Sequence, residues 1–314
     1  AVAEADPSAV AEHVETVVGL FDRFEDQHIR SQLCTIVGFA AADRPDAAVD
    51  ALDRILAAVD TFEDPAPLVN GLAAVGQVAE HRPDAVLDSL PTVVERTPRD
   101  NPVALANLAE TLRYVSETDP GAAGDSLDVV VPALASGDER VQREVLATCR
   151  ALAESRPDAV TPHVGAIADC LGGTRDPAVA ESAVRALRTV ATARATPLLG
   201  HEDAVVAPLD RFYDSPVLAE TLLTVQTIEE GSVSGWIEGH VPSILGVVHR
   251  VEDDRVRAAG LTVLERPARS GEETLLDRAR VVGGIVSDAT NPDVLVAGTR
   301  VLYELASRDL GTVE

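Results

Sequence analysis

Apolar positions along the chain recur at intervals of three, four and seven, the spacing of one face of a helix. The stretch from Asp253 to Leu264 shows it most plainly. Asp253 and Asp254 precede a run in which Val256, Gly260, Leu261 and Leu264 share one face, and carboxylates at that point suit the positive end of a helix. The same phrase returns along the chain. Its first apolar residues are Ile29, Leu68, Val103, Val141, Val179, Val217, Val256 and Val294, at spacings of 39, 35, 38, 38, 38, 39 and 38. A fixed period of about 38 predicts a repeat architecture of stacked helical units.

A second helical segment precedes each of these. Pro7, Pro45, Pro83, Pro120 and Pro157 open five of them, and proline is at home in a first helical turn, where its missing N–H has no partner to lose. Short turns pairing a breaker with a capping residue join the segments, such as Arg175-Asp176-Pro177 and Asn291-Pro292-Asp293. The expected repeats are 6–43, 45–82, 83–119, 120–156, 157–195, 201–231, 236–270 and 272–308, one domain over 1–314. Two joints are irregular, Ala195 to Gly200 and Glu230 to Trp236, and both read as longer loops. No β alternation of useful length appears. The fold class expected is all-α, a right-handed solenoid of about eight antiparallel helix pairs.

The period, together with the helix opening Asp253-Asp254-Arg255-Val256-Arg257-Ala258-Ala259, resembles HEAT-type repeat proteins. Other copies depart from the Val-Arg pair, with Gln142, Ala180, Leu218 and Leu295 in place of the Arg. The resemblance implies a concave surface lined by the second helix of each pair and used to bind a partner.

Composition changes this picture in two ways. Aromatics are only 3%, so Ala, Val and Leu fill the thin layers between helices, and a deep aromatic-walled ligand pocket is not expected. The net charge is −26, with 52 carboxylates against 26 basic residues, all of them Arg. This composition resembles that of proteins from extremely halophilic archaea. At about 1 M salt the Debye length is near 3 Å, so the self-repulsion is screened, and acidity loses its usual meaning for partner choice. No stretch approaches the length of a membrane span, and no signal-peptide pattern opens the chain; the start reads as a cytosolic one after loss of Met. The expected location is the cytoplasm.

Chemistry is sparse. Cys34, Cys149 and Cys170 lie in apolar helical runs and read as small buried hydrophobes. No two of the seven His lie four apart on one helix. The single His-Glu pair, His201-Glu202, is too little for the di-iron site of the deoxyhypusine hydroxylases that share the repeat architecture. The absence of Lys removes Schiff-base and P-loop chemistry. No catalytic, cofactor or metal site is expected. The expected function is a scaffold or adaptor for a protein partner; the alternatives are an accessory subunit of an enzyme complex and a nucleic-acid binder using a local Arg stripe.

Charge is unevenly spread. Residues 138–194 hold 8 Arg and 8 carboxylates, and residues 250–280 hold 7 of each. Arg113, Arg143, Arg150, Arg185 and Arg188 are expected to line the concave side and dock an acidic segment, where planar guanidinium forks grip carboxylates. The competing expectation is that Arg143 and Arg150 form solvated ion pairs with Glu144, Glu154 and Glu181.

Overall fold

The computed structural model describes residues 7–213, 215–231 and 236–311. Eight long helices carry the repeat: α1 (Gln27–Ala40), α2 (Pro65–His81), α3 (Pro102–Val115), α4 (Glu139–Ser155), α5 (Pro177–Ala193), α6 (Ser215–Gly231), α7 (Asp254–Ser270) and α8 (Pro292–Gly311). No strand occurs among the described residues. The turns supply the caps their sequences promise. Asp26, Asn101, Asp138, Asp176 and Asp253 each accept a hydrogen bond from backbone N–H groups of the turn they open. Asp6, Asp214 and residues 232–235, part of the expected turns and of the second irregular joint, lie outside the described residues. At the first joint, Thr196–Leu198 forms a 3-10 turn, and Gly200 takes a left-handed φ of 100°.

Two repeat anchors need correction. Leu68 and Val103 stand one residue to either side of the true register: Val103 is exposed, whereas Pro67 and Ala104 are buried. With Pro67 and Ala104 substituted, the third residue of each long helix is 29, 67, 104, 141, 179, 217, 256 and 294, buried in every copy but the first, where Ile29 is exposed, and the spacings 39, 35 and 38 become 38, 37 and 37. A small residue fills this position in the third copy and a proline in the second, so a search for a large aliphatic missed both.

The segment before each long helix is a broken arm rather than one straight helix. Examples are Pro45–Asp50 then Leu52–Thr61, Pro83–Val86 then Leu90–Arg96, and Glu273–Asp277 then Ala279–Asp288. Pro91, Pro132, Pro162, Pro208 and Pro242 lie at or near the restart, where a ring without an N–H interrupts the helical ladder.

Contacts divide the chain into two compact units, Ala1–Val160 and Thr161–Glu314. In the first, α1 to α4 pack each on the next; in the second, α5 to α8 do the same. Leu72, Leu108, Leu112 and Leu146 are fully buried in the first unit, as are Leu171, Leu187, Leu198 and Leu209 in the second. Asn107 Nδ2 donates to Val69 O at 3.0 Å and Thr148 Oγ1 to Ala109 O at 2.6 Å, tying successive long helices.

Two devices repeat. The seventh residue of α2, α7 and α8 is glycine, and a Cβ added there would come within 2.5 Å of Val59 (at Gly71) and 2.3 Å of Val248 and Val286 (at Gly260 and Gly298). Each Val lies twelve residues earlier, on the repeat's own arm, so glycine sets how closely arm and long helix approach. The second device satisfies arm ends, whose last carbonyls have no helical partner. Arg96 donates to Val59 O and Asp60 O, Arg211 to Thr174 O at 2.7 Å, and Arg250 to Leu209 O and Phe212 O. In each case the guanidinium ends one arm and caps the arm of the preceding repeat.

Candidate functional site

The side chains of interest lie on the long helices, on the face turned away from the arms. In the second unit a groove of about 450 Å³ is lined only by α6, α7 and α8: Ala219 and Leu223, then Arg255, Ala258 and Thr262, then Val296 and Arg300 are among its walls. These residues recur at matching turns of successive helices, so the repeat builds the groove.

Of the five Arg residues singled out by sequence, three fall in the first unit. Arg113 and Arg150 occupy the same turn of the adjacent helices α3 and α4. Arg113 stacks over the Tyr114 ring at 4.1 Å from its centroid and reaches Glu110 at 3.9 Å. Burial raises the Glu110 carboxyl above its ordinary range, and the charge of Glu144 pushes the same way, against the pull of Arg113. Arg143 and Arg150 are exposed and make no ion pair among the described residues. The pairs expected for them with Glu144, Glu154 and Glu181 do not form.

Arg185 and Arg188 fall in the second unit and do something else. Both reach from α5 to Glu220 on α6, Arg188 at 3.0 Å and Arg185 at 3.4 Å, while Arg185 also meets Glu181 at 2.6 Å. Glu220 is buried, so two guanidiniums clamp one sunken carboxylate. Sequence reasoning missed this acceptor, and it missed Glu229. Glu229 is buried at the end of α6, where its carboxylate accepts from Ile237 N at 3.0 Å and meets Arg266 at 2.7 Å. Burial raises its carboxyl above the ordinary value, opposed by Arg266 and the Ile237 hydrogen bond.

Among the arginine ion pairs the two units differ in which partner faces water; the two histidine pairs run the other way, with His28 more exposed than Asp64 in the first unit and Asp203 more exposed than His240 in the second. In the first unit, Arg44–Glu15, Arg54–Asp22, Arg82–Asp46, Arg82–Asp84, Arg96–Asp60 and Arg113–Glu110 all leave the carboxylate more exposed than the guanidinium; in Arg82–Asp46 the values are 89% and 37%. In the second unit the order reverses. Arg185–Glu181, Arg185–Glu220, Arg188–Glu220, Arg266–Glu229, Arg269–Glu304 and Arg300–Glu265 all sink the carboxylate beneath the guanidinium. Arg269 and Arg300 are each 64% exposed, over Glu304 at 24% and Glu265 at 19%. Long Arg stems lie across the helix surface and carry their heads to solvent, while the shorter Glu stays below. The long-helix face of this unit thus presents positive charge outward, although the chain as a whole carries −26.

Among the described residues no group of three or more His, Cys, Asp or Glu is placed to hold a metal ion, and no helix is long and apolar enough to cross a membrane. Cys34, Cys149 and Cys170 are all buried, and none is in a disulfide among the described residues. Burial pushes Cys34 up to about 12 and Cys170 up to about 11.

No family model and no curated protein sequence matches the chain. Solved structures do. An engineered protein matches with a TM-score of 0.60 at 20% identity, over 70% of this chain and 97% of its own. A chain from a study of the phosphorylation switch controlling the cadherin–β-catenin interaction matches with a TM-score of 0.70 at 14% identity, over 94% of this chain and 64% of its own. A chain of the Kap95:Nup1 complex matches with a TM-score of 0.58 at 13% identity, over 94% of this chain and 40% of its own. The chain is an all-α solenoid with an armadillo/HEAT-like repeat fold.

Proposed function

We propose that the protein is a non-catalytic scaffold that binds a protein partner through the face of its long helices, in a cytoplasm of high salt. The observation that carries this reading is the outward guanidinium layer described above. Both complexes among the structural neighbours pair a chain with a protein partner, cadherin with β-catenin and Kap95 with Nup1, which supports binding as the use of the fold. At molar salt, steering over distance is screened, and recognition falls to groups in contact. Planar Arg forks held in place suit a carboxylate-bearing segment under those conditions.

Arg143 and Arg150 are the clean probes of the first unit, being exposed and free of ion pairs among the described residues. Arg188 is a poor one, since a Glu there would stand against the buried Glu220. The test is recovery of protein partners from native lysate at molar KCl with the wild type and with Arg143→Glu/Arg150→Glu. Loss of a partner with unchanged melting supports the stripe. Partners unaffected by this pair and by changes on the α6–α8 face would refute the scaffold reading. So would recovery of nucleic acid released steeply by salt.

A further inference from the structure

We infer that the groove across α6, α7 and α8 docks a short segment of a partner protein in which an aliphatic side chain is flanked by carboxylates. This rests on the long-helix face being the binding surface and adds where the segment sits and what it looks like.

The groove has an apolar floor. Ala219 and Leu223 of α6, Ala258 of α7 and Val296 of α8 line it together, and Val296 is half-exposed with nothing covering it among the described residues. The floor is small-residue ground: Ala259 and Ala297 continue it into the core. A branched aliphatic side chain fits such a floor, whereas a bare carboxylate or ammonium would lose hydration there without a partner. A contiguous depression runs along α8 past Thr299 to the exposed Tyr303, giving the segment a second apolar wall.

Charge decides the flanks. Arg255 stands exposed on the rim at the first turn of α7 and makes no ion pair among the described residues. Arg300 stands on the opposite wall with its head in solvent, and its Glu265 partner is held 3.5 Å away beneath it. Arg269 lies farther along, also outward. Among the described residues the one exposed carboxylate lining the groove is Asp293, at the start of α8. A segment crossing the floor therefore meets guanidiniums on both sides, Arg255 with no ion pair among the described residues and Arg300 with donors to spare beyond its pair with Glu265. A basic segment would find its counter-charges sunk beneath those Arg heads. The apolar contact matters because at molar salt an exposed ion pair alone contributes little, while apolar burial keeps its strength.

The test uses the intact protein at molar KCl and a display library of random twelve-residue peptides as probe. We expect enrichment of peptides with Leu, Ile or Val between Asp or Glu, bound by the wild type and by Arg143→Glu/Arg150→Glu. Fluorescence anisotropy of a selected peptide should weaken at least tenfold with Arg255→Gln/Arg300→Gln and with Val296→Glu, circular dichroism remaining that of the wild type. Replacing the peptide's carboxylates by amides should cost the same. Enrichment of basic peptides, absence of any enrichment, or binding indifferent to both groove variants overturns the proposal. Acidic peptides lost with Arg143→Glu/Arg150→Glu alone would overturn it while leaving the scaffold reading standing.

Discussion

Gly260 offers the sharpest test of how arm and long helix fit. In an exposed helix interior Gly→Ala gains about 1 kcal/mol, because alanine loses less backbone freedom on folding. At Gly260 the new Cβ would come within 2.3 Å of Val248 Cγ2, and Val248 is fully buried with a stiff β-branched side chain that yields only by leaving its rotamer. Forcing a methyl into a packed layer costs about 1–3 kcal/mol. The clash outweighs the propensity gain, and Gly260→Ala is expected to destabilise by about 1 kcal/mol. Val248→Ala alone removes two buried methyl groups and should cost about 2 kcal/mol, in transfer and cavity together. In the double variant the added Cβ occupies part of the vacated space, so the pair should be better than the sum by about 1–2 kcal/mol. Gly246→Ala, on the same arm with nothing within 4 Å of the added Cβ, is the control and should stabilise. The assay is urea unfolding at fixed molar KCl, followed by far-ultraviolet circular dichroism. If Gly260→Ala stabilises as Gly246→Ala does, or if its effect adds to that of Val248→Ala without coupling, the packing argument is wrong.

Three further outcomes are expected. Lowering KCl from molar to about 0.1 M lengthens the Debye distance from about 3 to 10 Å and should unfold the protein without heating; a melting temperature indifferent to KCl would contradict the halophilic reading. Glu229 holds its proton more tightly folded than unfolded, so its stabilising contribution is complete below the ordinary value of 4.5 and is lost as pH rises through the higher folded value. Stability should therefore fall with pH through that window more steeply in the wild type than in Glu229→Gln, and parallel profiles would refute it. The buried thiols should resist iodoacetamide in the native state and react in denaturant, and Cys149→Ala should cost about 1 kcal/mol, read by the same urea titration.

The repeat was legible because its signals are local. Asp caps, first-turn prolines and a helical apolar stripe each recur with the period, and they agree with one another. The register of α2 and α3 was misread because Pro67 and Ala104 occupy a core position without looking like core. The broken arms could have been found, since Pro91, Pro132, Pro162, Pro208 and Pro242 each stand inside the segment before a long helix, although not at one fixed register. The five candidate Arg were located, but their surroundings were not. Whether Arg188 meets a neighbour on its own helix or Glu220 on the next depends on how adjacent helices face each other, and no window of one helix holds that information. One signal was available: Glu220, Arg300 and Glu304 each lie 35 residues after an opposite charge, at Arg185, Glu265 and Arg269, a little under one period. Which member of such a pair sinks is a matter of side-chain length and packing, beyond what a charge pattern records.

The Arg caps on the arms bear on how such a chain can grow or shrink over generations. Arg211 and Arg250 each belong to a different repeat, and the carbonyls each satisfies belong to the repeat before its own. A gene duplication whose break falls just before an arm inserts a module that arrives with its own guanidinium and finds bare carbonyls waiting. A break between an arm and its long helix also splits the glycine from the valine it was fitted to, as with Gly260 and Val248. Viable insertions and deletions should therefore cluster at the joints between repeats, and length variants of this architecture should differ by whole multiples of about 38 residues rather than by fragments.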